Sequence, residues 1–148
     1  MQQDKPEIGY LIKRVQQTLH LALDSALKDH HLTMAQYAVL FNLLQNPGAS
    51  SAKLARLSFV TPQTMMRLVK NLEHNGFLTR TKSSQTPRIL NARLTTKGAT
   101  AFRAATRDVS LVYSRMLNGI RDTELEQISR LLNRMLQQLE ESQSSNPI

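Results

Sequence analysis

The stretch from Thr61 to Gly76 limits the fold of this chain more than any other. Thr61 can accept at a helix N-cap, and Pro62 suits the first helical turn, where its missing N–H costs nothing. Met65, Leu68, Val69 and Leu72 then fall at i, i+3, i+4 and i+7, which makes one apolar stripe. Gln63, Arg67, Lys70 and His74 occupy the opposite stripe, with Thr64 beside it. Gly76 fits the left-handed residue that ends a helix. A helix divided in this way buries one side and offers amide, hydroxyl and guanidinium groups on the other.

The neighbours narrow the choice. Ile8, Leu11, Ile12, Val15, Leu19, Leu23 and Ala26 recur at helical steps and predict one long amphipathic helix over about 8–27. Thr33 and Gln36 have the spacing of a capping box, and the helix they open stops at Asn46-Pro47-Gly48. Ser50 or Ser51 caps a short helix carrying Leu54, Ala55 and Leu57. Beyond Gly76 the period changes to two. Phe77 to Lys82 and Ile89 to Leu94 read as strands around the polar turn Ser83-Ser84-Gln85-Thr86-Pro87. Thr95 caps another long helix with Phe102, Ala105, Val109, Val112 and Met116. After Gly119 and Asp122 a last helix runs through Leu125, Ile128, Leu132, Met135 and Leu139.

Charge follows the same division. The sequence has 148 residues and a net charge of +8. Residues 50–100 hold nine Lys/Arg (Lys53, Arg56, Arg67, Lys70, Arg80, Lys82, Arg88, Arg93, Lys97) against Glu73 alone, so nine minus one accounts for all of it. Residues 1–49 carry four charges of each sign and residues 101–148 six of each. Charge concentrated on one module between two neutral ones is the footprint of a polyanion-binding surface.

Other classes lose ground on composition. With Cys absent, there is no disulfide, thiolate metal site or cysteine redox switch. His30-His31 follow Asp29, but no second ligand cluster stands at helical spacing, so a helix-end or solvent role is expected for them and no metal. No nucleophile–base pair, phosphate-cradling glycine loop or paired carboxylates mark an enzyme, and no cofactor is implied. The polar, acidic start Met1-Gln2-Gln3-Asp4-Lys5-Pro6-Glu7 is unlike a signal peptide, and no apolar run has membrane-spanning length. A cytoplasmic protein is expected. Tyr10, Tyr37 and Tyr113 read as half-buried packing residues.

Helix, short helix, capped polar-faced helix and basic hairpin, in that order, describe a winged helix-turn-helix: a mainly α fold with a small β-hairpin wing. Double-stranded DNA is the expected partner. Gln63, Thr64 and Arg67 can reach base edges in the major groove. Ser51, Lys53, Thr61, Lys70, Arg80, Lys82 and Arg88 complete the expected contact set, with Arg88 aimed at a minor groove. The alternative is a winged-helix protein-interaction module without specific DNA binding, which a flat salt dependence of partner binding would favour.

From Leu32 to Gly98 the chain resembles the MarR family of bacterial transcription regulators. The residues that carry the resemblance begin with Leu32-Thr33-Met34-Ala35-Gln36-Tyr37-Ala38-Val39-Leu40 and Leu54-Ala55. They continue with Thr64, Arg67-Leu68-Val69, Leu72-Glu73, Gly76-Phe77-Leu78, Arg80 and Leu94-Thr95-Thr96-Lys97-Gly98. The resemblance implies that 32–98 is the DNA-binding domain and that 1–31 and 99–142 form a helical dimerisation region intertwined with a second subunit. Residues 143–148 are expected to be a disordered tail. It also implies a cleft for a small aromatic or anionic effector, for which Arg14, His20 and Tyr37 are nominated. One departure stands out. Where the family has an acid two residues before the wing arginine, this chain has Thr86 before Arg88, so a mobile wing is expected, with Pro87 in partial compensation.

A homodimer is expected on physical grounds as well. The helices near 8–27, 96–117 and 123–140 carry more apolar stripe than one compact winged helix can cover.

Overall fold

The computed structural model describes residues 5–81 and 91–144 and comprises two compact units, Met1–Tyr113 and Ser114–Ile148. Helix α1 (Lys5–Leu27) leads through a single 3-10 turn (Lys28–His30) to α2 (Met34–Gln45), α3 (Ser51–Leu57) and α4 (Pro62–His74). Strands β1 (Leu78–Arg80) and β2 (Ala92–Leu94) follow, then α5 (Thr96–Met116) and α6 (Asp122–Ser144). Mainly α with a small antiparallel hairpin, this is the expected class.

The helix starts come from the expected side chains. Thr33 Oγ1 accepts from the Gln36 N–H while Gln36 Oε1 accepts from the Thr33 N–H, closing a reciprocal capping box on α2. Ser50, rather than Ser51, caps α3 by accepting from the Lys53 N–H at 3.1 Å. Thr61 caps α4, with Pro62 in its first turn, and Thr95 Oγ1 accepts from the Gly98 N–H to open α5. Each cap contributes about 1 kcal/mol.

Three chain reversals share one design. At the end of α4 the Gly76 N–H bonds Glu73 O and the Phe77 N–H bonds Leu72 O, with Gly76 at φ +74°. At the end of α3 the Phe59 N–H bonds Arg56 O and the Val60 N–H bonds Ala55 O, with Phe59 at φ +53°. After α1, the His31 and Leu32 N–H groups bond Lys28 O and Leu27 O, with His31 at φ +56°. All three are Schellman caps, in which the left-handed residue suits glycine best.

The hairpin is shorter than its period suggested. Phe77 belongs to the cap of α4 and is not a strand residue, and the ladder pairs Leu78 with Leu94, Thr79 with Arg93 and Arg80 with Ala92. Thr81 extends it by one bond to Asn91 O at 3.2 Å. Lys82, the turn, Arg88, Ile89 and Leu90 lie outside the described residues, and so does the expectation of a mobile wing around Thr86 and Pro87. Helix α6 continues through Gln143 and Ser144, so two residues of the expected tail are helical.

Burial picks out the predicted stripe of α4. Met65, Leu68, Val69 and Leu72 of α4 are all buried against Val39, Leu40 and Leu43 of α2, Leu54 and Ala55 of α3, and Phe77 and Leu78. Removing each such side chain from water contributes roughly 1.5–3 kcal/mol. Leu23 and Leu27 of α1 and Ala105 and Val109 of α5 join this core. Gly98 is needed for that closure. A Cβ there would come 1.8 Å from Phe77 O, so any larger residue would push α5 away from the end of α4.

Polar ties reinforce the junction of α1, α2 and α5. Asp24 Oδ1 accepts from the Met34 N–H at 2.7 Å, and His30 Nε2 meets Asp108 Oδ2 at 2.6 Å. Of the helix-end and solvent roles expected for it, His30 takes the first, closing the 3-10 turn with Asp108 as a specific partner. Tyr37 is buried and stacks on Phe102 with ring centroids 5.2 Å apart, and its hydroxyl meets Thr106 Oγ1 at 3.2 Å. Tyr10 and Tyr113 are both exposed, contrary to the half-buried packing role expected of them.

Candidate nucleic-acid interface

Helix α4 owes its two faces to the sequence period. With Met65, Leu68, Val69 and Leu72 turned inward, Gln63, Arg67, Lys70 and His74 are all exposed on the other side, and Thr64 is half-buried between them. Thr61 Oγ1 accepts from the Thr64 N–H at 3.1 Å and lies 3.0 Å from Thr64 Oγ1. This local network orients the first-turn hydroxyls. Asn42 Nδ2 donates to Ser58 Oγ at 3.1 Å, fixing the turn between α3 and α4 to α2.

Helix α3 carries Lys53 and Arg56, both exposed, and Ser51, whose Oγ lies 3.3 Å from Met66 Sδ and so ties α3 to α4. Ser51 thus serves helix–helix packing in this structure. Arg80 behaves differently from the exposed cations. Its Nε and Nη2 both donate to Glu73 Oε2, at 3.0 and 2.8 Å, joining β1 to the last turns of α4. Arg80 is therefore held in a partly exposed ion pair with the single acid of the basic segment. Lys97 is likewise engaged, donating to Asn75 O at 2.8 Å with its ammonium over the Phe77 ring.

Two further cations were counted in the basic segment but not singled out. Arg93 faces outward from β2, opposite Thr79, and Arg56 lies on the exposed side of α3. Strand alternation sets Arg93 outward, since Leu94 and Ala92 pack inward on either side of it. The structure thus gathers Lys53, Arg56, Gln63, Thr64, Arg67 and Lys70 on two packed helices, with Arg93 on the hairpin. Lys82 and Arg88 lie outside the described residues.

Residues 32–90 match the MarR family model. The HTH-type transcriptional repressor Rv2887 of Mycobacterium tuberculosis is 33% identical over 132 residues, which span 89% of this chain and 95% of the relative. The chain belongs to the MarR family. A crystal structure of the Mycobacterium tuberculosis MarR family protein Rv2887 in complex with DNA is 33% identical, with a TM-score of 0.68 over 86% of this chain and 95% of that one. The complex of the same protein with salicylic acid gives 34% identity and a TM-score of 0.67, covering 86% and 94%. The resemblance read from the central motif thus extends over most of the chain.

Within this MarR protein the three nominated effector residues have separate local contacts. Arg14 places its guanidinium 5.7 Å from the Tyr10 ring centroid. His20 Nε2 meets Asp24 Oδ2 at 3.1 Å on the same helix. Tyr37 is engaged by Phe102 and Thr106 of α5. Arg14 and His20 are exposed and Tyr37 is buried, and no interaction among the described residues joins the three. No group of three His, Cys, Asp or Glu side chains among the described residues is placed to hold a metal ion, and no described helix is long and apolar enough to cross a membrane.

Proposed function

We propose that this chain is a transcriptional repressor that binds a pseudo-palindromic DNA operator as a homodimer. One observation carries the reading: α4 buries its entire apolar stripe and leaves Gln63, Arg67 and Lys70 exposed in a module that holds the chain's whole net charge. In this reading Gln63, Thr64 and Arg67 address base edges, with Arg67 suited to the paired acceptors of guanine. Lys53, Lys70 and Thr61 contact phosphates, which position the protein without reading sequence. Arg80 acts through Glu73, bracing the hairpin against α4. The DNA complex of the mycobacterial relative supports the DNA-binding reading.

Homodimerisation follows from the long helices. Ile8, Leu11, Ile12 and Val15 on α1 and Ile128, Leu132, Met135 and Leu139 on α6 are exposed in the single chain. A second copy would cover them and set two reading helices about one DNA turn, roughly 34 Å, apart. A small aromatic or anionic effector that prefers one arrangement of the two heads would shift DNA affinity, and the salicylic acid complex of the relative supports that class of ligand.

Selection of bound duplexes from a random pool tests the proposal. It should return one inverted repeat whose affinity falls steeply with salt. Recovery of no enriched sequence would contradict it.

A further inference from the structure

Phe59 combines two unfavourable features. It is a non-glycine residue at φ +53°, and its side chain is 96% exposed, the most exposed large apolar residue among those described. The structure itself shows the inexpensive alternative, since the same Schellman cap at the end of α4 uses Gly76. A glycine at position 59 would relieve the left-handed strain and remove the wetted ring together. An outlier that the fold does not need invites a search for a contact made only in a complex.

Its position says with what. Phe59 sits in the turn between α3 and α4, two residues before Thr61 caps α4 and four before Gln63. Lys53 and Arg56 are exposed on the helix it follows, and Gln63 and Arg67 on the helix it precedes. The ring is thus an apolar element set within a cationic, polar surface. The duplex offers one apolar group along its major-groove edge, the 5-methyl of thymine. Asn42 and Ser58 hold this turn to α2, so the ring projects from a braced backbone rather than a loose loop.

We propose that Phe59 is a specificity-determining residue that contacts a thymine methyl flanking the bases addressed by Gln63 and Arg67. This rests on the DNA-binding reading above, and it makes two effects of one side chain opposite in sign. Phe59→Gly raises the melting temperature, by about 2–4 °C for relief of one strained residue in a chain of this size. The same change weakens binding to the selected duplex. A residue present for folding alone would lower both.

The experiment titrates the full-length protein, Phe59→Gly and Phe59→Ala against the duplex selected from the random pool. It repeats the titrations on duplexes in which each thymidine in turn is replaced by deoxyuridine, which removes only the methyl. Expected is one position per half-site where deoxyuridine costs the unmodified protein about fourfold and costs either variant nothing. Unchanged affinity in both variants would overturn the proposal and leave the ring for a protein partner. Weakened affinity with no thymidine-specific coupling would also overturn it, because the contact would then be to the sugar–phosphate chain. Failure of the unmodified protein to prefer the selected duplex over random DNA would overturn the DNA-binding reading itself, and this inference with it.

Discussion

Helices α4 and α6 place apolar residues at the same helical steps, yet their fates differ. On α4, Met65, Val69 and Leu72 are 0% exposed, whereas Ile128, Leu132 and Met135 on α6 are 43%, 40% and 39% exposed. The period of a sequence announces that a face must be covered, and it does not say by what. For α4 the cover comes from α2, α3 and the hairpin of the same chain. For α6 we assign it to a second copy, because an apolar stripe of that length left in water would drive aggregation. One face therefore belongs to folding and the other to assembly.

Substitutions on the two faces should separate these roles. The largest effect is expected from Met65→Ala, which opens a cavity in a filled core and should lower unfolding free energy by about 2–5 kcal/mol in urea titrations. Leu132→Glu should instead leave the winged helix folded, by far-ultraviolet circular dichroism, and abolish the dimer in sedimentation. Loss of all structure in Leu132→Glu, or an intact dimer, would break the comparison.

The polar face of α4 gives the next effects. Arg67→Ala should cost about 1–3 kcal/mol on the selected duplex and far less on random DNA. Lys70→Ala should weaken both duplexes alike and reduce the salt slope by about 0.9, the signature of one lost phosphate contact. Equal losses on specific and random DNA for Arg67→Ala would remove its base-reading role.

Smaller again is the pair between Arg80 and Glu73. Both side chains are about one-third exposed, at 30% and 36%, so Glu73→Gln should cost no more than about 1 kcal/mol of stability. Its more informative readout is DNA affinity at low salt. Releasing Arg80 from its carboxylate adds an unpaired cation to the hairpin base and removes a negative charge, so nonspecific binding should tighten. Smallest of all is the start of α6. There Arg121 holds the Glu124 carboxyl below its ordinary range through a side-chain hydrogen bond, reinforced by the Arg121 N–H. A depressed carboxylate stabilises above its unfolded pKa and stops doing so as pH falls through the folded value. Glu124→Gln should therefore lower the melting temperature marginally at neutral pH and not at all in strong acid.

Much of this was legible in the chain because the decisive signals are local. Thr33 with Gln36, Thr61 with Pro62, and Thr95 each name a helix start, and the structure forms every one of those caps. The stripe on α4 was legible for the same reason. Contacts between distant residues were not. Nothing in the spacing of His30 and Asp108, or of Tyr37 and Phe102, says that the packing of α5 brings them together. Arg80 read as a DNA-contacting cation, because its pairing with Glu73 depends on β1 folding back along α4. Phe59 was not legible for a related reason, because only the backbone shows a phenylalanine at the position where the next cap uses Gly76.

The central claim is that the exposed faces of the long helices are covered by a second copy so that two reading heads engage one site. Sedimentation equilibrium of the protein on the selected duplex tests this most directly. The account predicts two chains per duplex, with Leu132→Glu reducing occupancy and affinity together. A single chain bound per duplex, with Leu132→Glu indistinguishable from the unmodified protein, would contradict it.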